Sequence, residues 1–171
     1  MEGSKTMDGT TKMISGKLTL PSDMDISLLD FVDYFQCYQQ TPEVEQYYTK
    51  ENSSIWQMFH DESPQWVHKL ATLVPQDFVN SVVSVINIPP GQTIPYHKDK
   101  HYLLQQQYGQ GDTWRYLIML EDWKMGHYFE INGQPYTKWH AGDWIKFPQA
   151  EWHLAGNMGI EPFYSAQVTV K

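Results

Sequence analysis

From residue 81 onward the chain breaks into short runs rich in β-branched and aromatic residues, and this texture constrains the fold more than any other feature. Such runs cover residues 82–88, 93–97, 102–107, 114–120, 126–131, 134–138, 144–147, 152–155 and 163–170. Between them stand turn signals: Pro89-Pro90-Gly91, residues 109–111, Asn132-Gly133, Gly142, Pro148 and residues 156–159. Asn-Gly between two alternating runs is the strongest short hairpin signal, because both residues tolerate the positive φ of a type I′ turn. About eight short strands with no helical stretch between them specify a sandwich or barrel.

The N-terminal half reads differently. Residues 1–16 are polar and rich in Gly and Thr, and are expected to be a flexible lead. Residues 17–20 read as a short strand ended by Pro21. Ile26, Leu29, Val32 and Phe35 recur at helical spacing, which predicts a helix over 25–39. Trp66, Leu70 and Leu73 do the same over 63–73, with Pro64 at an early position. Both stripes read as core packing. No linker or repeat divides the chain, so the expectation is one domain, 1–171. A mainly helical part at 17–80 packs against a mostly β core at 81–171.

Composition enters as a set of exclusions. Hydrophobic residues at 41% and charged residues at 19% describe a globular chain. The formal charge of −8 makes it a poor binder of phosphate backbones, and nucleic acid is not an expected partner. Cys37 is the single cysteine, which excludes an intramolecular disulfide and a thiolate zinc cage. No apolar run reaches the length of a membrane span, and the start of the chain has no apolar signal segment, so a cytoplasmic address is expected. Of the 12 basic residues only one, Arg115, is an arginine.

Walker, GxGxxG, GxSxG and CxxC signatures are missing, which leaves histidine and carboxylate chemistry. The sharpest pattern is His97-Lys98-Asp99. In an extended segment residues i and i+2 project to one side, so imidazole and carboxylate can converge. His153, on a late predicted strand, is the candidate third donor. Two neutral imidazoles and one carboxylate make a face that suits Fe(II) and leaves the ion net positive with open positions. An HxD match alone is a weak signal, and His60-Asp61-Glu62 supplies an HxE match that reads as structural or solvent-exposed.

The order strand, Pro-Gly turn, HxD, further strands, Ala141-Gly142-Asp143-Trp144 and then His153 resembles the Fe(II)/2-oxoglutarate-dependent oxygenases of the cupin superfamily. The likeness is nearest to aspartyl/asparaginyl hydroxylase-like and JmjC-like members, including phage and bacterial ones. It covers about half the chain. It implies a double-stranded β-helix (jelly roll, cupin-like) with N-terminal helices packed against it, and a metal held by His97, Asp99 and His153. It further implies 2-oxoglutarate as cosubstrate, with O2 and loss of CO2 to give succinate, and hydroxylation of a substrate, with a protein or peptide side chain favoured. A phage-encoded protein acting in the host cytoplasm fits the same likeness. The family pairs the far carboxylate of 2-oxoglutarate with a basic residue on the last core strand or the fourth. The predicted last strand has none, whereas the fourth predicted strand, 114–120, carries Arg115. Asn87, Tyr102, Asn157 and Ser165 are the further candidate cosubstrate contacts, and Lys146 is a backup anchor that more naturally points to solvent.

Trp123, His127, Tyr128, Phe129, Tyr136, Trp139 and His140 are placed around the predicted barrel mouth, where they suit either a substrate groove or packing. Residues 105–112 are expected to form a polar lid. The alternatives are a cupin-type metal enzyme that does not use 2-oxoglutarate, with Arg115 structural, and a non-catalytic jelly-roll binding module.

Overall fold

The computed structural model describes residues 14–33, 54–57, 64–75 and 77–171. The strands are β1 (Ile14–Lys17), β2 (Val32–Asp33), β3 (Ser54–Gln57), β4 (Ser81–Ile88), β5 (Gln92–His97), β6 (Trp114–Met119), β7 (His127–Ile131), β8 (Gln134–Tyr136), β9 (Asp143–Pro148), β10 (His153–Asn157) and β11 (Phe163–Val170). The helices are α1 (Gln65–Leu73) and α2 (Tyr102–Tyr108), with a 3-10 turn at Ile26–Leu28. Every strand pairing is antiparallel. A seven-stranded sheet has the order β1-β9-β6-β11-β4-β3-β2, and a four-stranded sheet the order β5-β10-β7-β8. From β4 to β11 the chain alternates between the two sheets, with β7 and β8 together on the smaller one. That alternation winds a double-stranded β-helix, so the mostly β, jelly-roll expectation is met.

The central strands of the larger sheet, β4, β6, β9 and β11, are buried on both faces and the smaller sheet on one, and the sequence of each strand follows. Inside the barrel Ile86, Ile88, Leu117, Met119, Ile145 and Phe147 face Ile94, Phe129, Ile131 and Ala155 of the smaller sheet. On the outer face of the large sheet Val83, Val85, Tyr116, Ile118, Ala166 and Val168 pack with Trp66, Val67, Leu70 and Ala71 of α1. Strand β4 (SVVSVINI) is therefore almost continuously apolar. Strand β7 (HYFEI) alternates buried with half-buried residues, because only one of its faces has a partner layer. The β7–β8 hairpin forms at Asn132 (φ 49°) and Gly133 (φ 75°), with Ile131 opposite Gln134, as the Asn-Gly signal predicts.

Three expectations for local structure change. Within 25–39 the described part is a 3-10 turn capped by the Asp25 carboxylate, followed by strand β2; residues 34–39 lie outside the described residues. The first strand is 14–17 rather than 17–20, paired to β9 along the sheet edge. Residues 102–108 are helix α2 instead of a strand. The expected helix over 63–73 is present as α1, although Leu73 is exposed. Among the described residues before 80, strands β1 to β3 extend the large sheet. His60, Glu62 and Cys37 lie outside the described residues. Among the described residues no helix is long and apolar enough to cross a membrane.

Candidate metal centre

The last residue of β5 and the first of β10 are direct cross-strand partners, and these residues are His97 and His153. Antiparallel pairing thus sets two imidazoles side by side, with ring centroids 4.3 Å apart. Asp99 follows β5 by two residues, and its backbone carbonyl accepts from Ala150 N (3.3 Å), which ties the segment to the approach of β10. His97 Nε2 lies 3.6 Å from Asp99 Oδ1, and His153 Nε2 lies 3.3 Å from Asp99 Oδ2. One donor atom from each of the three residues falls within 4.8 Å of the others, and they are the one such cluster of His, Cys, Asp and Glu among the described residues.

Both imidazoles are locked in the form a metal requires. His97 Nδ1 bonds Pro95 O (2.7 Å), and His153 Nδ1 bonds Glu151 O (2.9 Å). A carbonyl only accepts, so each Nδ1 carries the proton and each Nε2 lone pair points to the common centre. Burial holds the His97 pKa down at about 4, with the Arg115 cation adding to the effect. Burial, then the His97 and Arg115 charges, push His153 well below its usual value. Both rings are therefore neutral at pH 7. Phe129 and Phe147 lie against His153, at 5.9 and 5.3 Å between centroids, and form an apolar wall.

Arg115 is at this centre, beside Asp99. Its Nη1 donates to Asp99 Oδ2, the oxygen that also faces His153, and its Nε donates to Thr169 Oγ1 (3.2 Å). Because 102–108 is helical, β6 is the third strand of the β-helix and not the fourth. On it Arg115 shares the barrel-facing side with Leu117 and Met119.

The remaining candidates separate from the triad. Asn87 alternates with Ile86 and Ile88, so it belongs to the outer face of the large sheet; its Oδ1 is buried without a hydrogen-bond partner among the described residues. Asn157 lies four residues beyond His153, about 13 Å along the strand. Its amide donates to Ile88 O and Glu161 O and accepts from Gly159 N, so it organises the far end of the barrel. Ser165 is buried on the barrel-facing side of β11, four residues from the Thr169 that binds Arg115, again about 13 Å away. Tyr102 opens α2, and its side chain lies outside the described residues. Lys146 sits over the rings of Trp114 and Tyr116, away from the barrel interior.

The aromatic group expected at the mouth is mostly packing at the opposite end. His127, Trp139, Phe163 and Tyr136 stack there in series, and Trp123 Nε1 donates to His127 O. His140 is exposed, and only Phe129 reaches the triad. The segment 105–112 is the end of α2 and a loop, tied down where Lys171 Nζ donates to the carbonyls of Tyr108, Gly109 and Gln110.

One residue of the centre escaped the sequence reading: His101. It is buried, adopts left-handed backbone (φ 46°, ψ 41°), and N-caps α2. Its Nδ1 bonds Thr113 Oγ1 (2.7 Å), while its Nε2 has no hydrogen-bond partner among the described residues. Burial, followed by the nearby His153 charge, lowers its pKa to about 3. The left-handed backbone costs about 1–2 kcal/mol, and an orphaned buried acceptor about 1–3 kcal/mol. The signal was present, since His101 continues the i, i+2 spacing of His97 and Asp99.

No family model matches the chain, and no curated protein matches it. Among solved structures it is similar to a Pseudomonas putida prolyl-4-hydroxylase, with TM-score 0.58 and 13% identity over 93% of this chain and 92% of that one. It is also similar to a cupin protein from Bacteroides fragilis (TM-score 0.42, 12% identity, 90% and 86% covered) and to KdgF from Halomonas sp. (TM-score 0.45, 10% identity, 88% and 93% covered). At these identities the likeness is one of fold.

Proposed function

We propose that the chain is a non-haem Fe(II) oxygenase that uses 2-oxoglutarate and hydroxylates a protein or peptide side chain. The observation that carries this reading is the convergence of two Nε2 lone pairs and one carboxylate on a single point, with both Nδ1 protons fixed by backbone carbonyls. That donor set fits the metal: two nitrogens and one oxygen from the protein leave positions for outside ligands, the arrangement of Fe(II) oxygenases. Bound Fe(II) would supply the redox chemistry and open positions for a chelating keto acid and O2. His97 and His153 hold their donors ready without losing a proton first. Arg115 orients Asp99, and its positive charge adds to that of a divalent ion in favouring an anionic cosubstrate. Phe129 and Phe147 keep water from the His153 side. The fold likeness to a prolyl-4-hydroxylase supports a side-chain substrate.

A second reading, a cupin-type metal enzyme that does not use 2-oxoglutarate, is favoured by the engagement of Arg115 with Asp99 and Thr169. For Arg115 to anchor a cosubstrate, it must take a second carboxylate or leave Asp99 once the metal supplies counter-charge. Thermal unfolding of the Ni(II)-loaded protein separates the two. The first reading requires 2-oxoglutarate to raise Tm further, and Arg115→Ala to abolish that rise. Metal stabilisation with no response to 2-oxoglutarate selects the second. Succinate formed from 2-oxoglutarate with Fe(II) and O2 is the corresponding activity assay.

A further inference from the structure

The proton positions around His101 can be worked out from its neighbours. Gln149 Oε1 accepts from Gln105 Nε2 (2.6 Å) and from Thr113 Oγ1 (3.0 Å). Thr113 spends its one hydroxyl proton on Gln149, so toward His101 it can only accept. His101 Nδ1 is therefore the protonated nitrogen, and Nε2 is a bare acceptor, buried and without a partner among the described residues. The chain supplies three successive bonds to set this tautomer and tolerates left-handed backbone at the same residue. Asp99 lies two residues before it, and Gln149 and Thr113 stand at the start of the β10 approach and of β6, the two elements that bring His153 and Arg115 to the centre. A buried acceptor fixed in this tautomer, two residues beyond Asp99 and without a partner among the described residues, implies a donor that arrives with a ligand.

We infer that His101 Nε2 is the acceptor for an O–H or N–H group on the molecule that binds at the His97/Asp99/His153 centre. This rests on the reading of that triad as a metal site. The centre thereby takes a ligand that presents a hydrogen-bond donor, and with the metal alone that ligand is water.

The test uses the full chain and Co(II) alone. His101→Asn places an amide nitrogen where Nδ1 stood, keeping the bond to Thr113, and deletes the Nε2 acceptor. His101→Gln places an amide oxygen near the Nε2 position. Calorimetry should show Co(II) binding weakened about tenfold or more by His101→Asn, the effect of losing an outer partner of a metal site, and held within about threefold by His101→Gln, since the replacement acceptor retains that contact. Proton NMR of the Co(II) protein should show two exchangeable, strongly shifted ring N–H signals, from the Nδ1 of His97 and His153. Equal Co(II) affinity in wild type and His101→Asn overturns the inference. So does a third shifted ring signal that disappears in His101→Asn, because His101 is then a metal ligand itself. If His101→Asn does not fold, His101→Gln decides alone, and a tenfold loss there overturns the inference. Failure of the wild-type protein to bind Co(II) is a separate outcome that removes the metal reading and this inference with it.

Discussion

Replacing Arg115 by methionine tests how the centre is held together before any ligand arrives. The Arg115 and Asp99 side chains are 11% and 16% exposed, so the pair is mostly withdrawn from water. Removing one member of a buried ion pair leaves the other charge uncompensated, which costs about 3–5 kcal/mol. Exposure at the Asp99 edge puts this case near the lower end, about 3 kcal/mol, and loss of the Thr169 bond adds about 1 kcal/mol. At about 2–4 °C per kcal/mol for a chain of this size, the metal-free variant should melt about 8–16 °C lower. Excess Ni(II) should shrink that deficit, because a divalent ion at His97 and His153 restores positive charge next to Asp99. In an Asp99→Asn background the same substitution should cost only about 1 kcal/mol, since no buried charge is left behind. Circular dichroism melts with EDTA and with Ni(II) read all three. A metal-free Arg115→Met protein as stable as wild type, or a deficit unchanged by both Ni(II) and Asp99→Asn, would refute the assignment of Arg115 to Asp99.

Burial lowers the folded-state pKa of His97 to about 4 and pushes His153 well below its usual value. Each binds its proton more readily when unfolded, so stability is complete above about pH 6.5. It is lost as pH falls toward 4; urea midpoints of the metal-free protein from pH 7 to 4.5 should decline steadily, and a flat profile would contradict the buried neutral rings. Gly126 has φ 96°, and a Cβ there would sit 2.2 Å from Gly159 N, so Gly126→Ala should destabilise by more than about 2 kcal/mol in urea unfolding. Ile118 is fully buried between the large sheet and α1, and Ile118→Ala should cost about 2–5 kcal/mol by the same measurement.

The β-helix was legible because its strands are short, dense in β-branched residues and separated by strong turn residues; Asn132-Gly133 forms the hairpin it signals. The triad was legible because i, i+2 spacing survives into the structure at His97 and Asp99, and strand register alone supplies His153. The helix at 102–108 was not, because Tyr-Leu-Leu-Gln-Gln-Gln-Tyr is compatible with either state. Its outcome depends on His101 entering left-handed backbone and on Lys171 gathering the carbonyls that follow the helix. That single misassignment shifted the strand count and moved Arg115 from the third strand to the fourth. Asn87 and Asn157 had suitable chemistry, but which face or end of a barrel a residue occupies depends on closure, which local pattern does not carry.

In the proposed function His97, Asp99 and His153 act together as the ligands of one divalent metal. Calorimetric titration of the metal-free chain with Fe(II) under anaerobic conditions, or with Ni(II) in air, measures this directly. One equivalent should bind per chain, with binding lost in His97→Ala, Asp99→Ala and His153→Ala. Each of these variants should keep its circular dichroism spectrum. Absence of binding in the wild-type protein, or unchanged stoichiometry and affinity in His153→Ala, would contradict it.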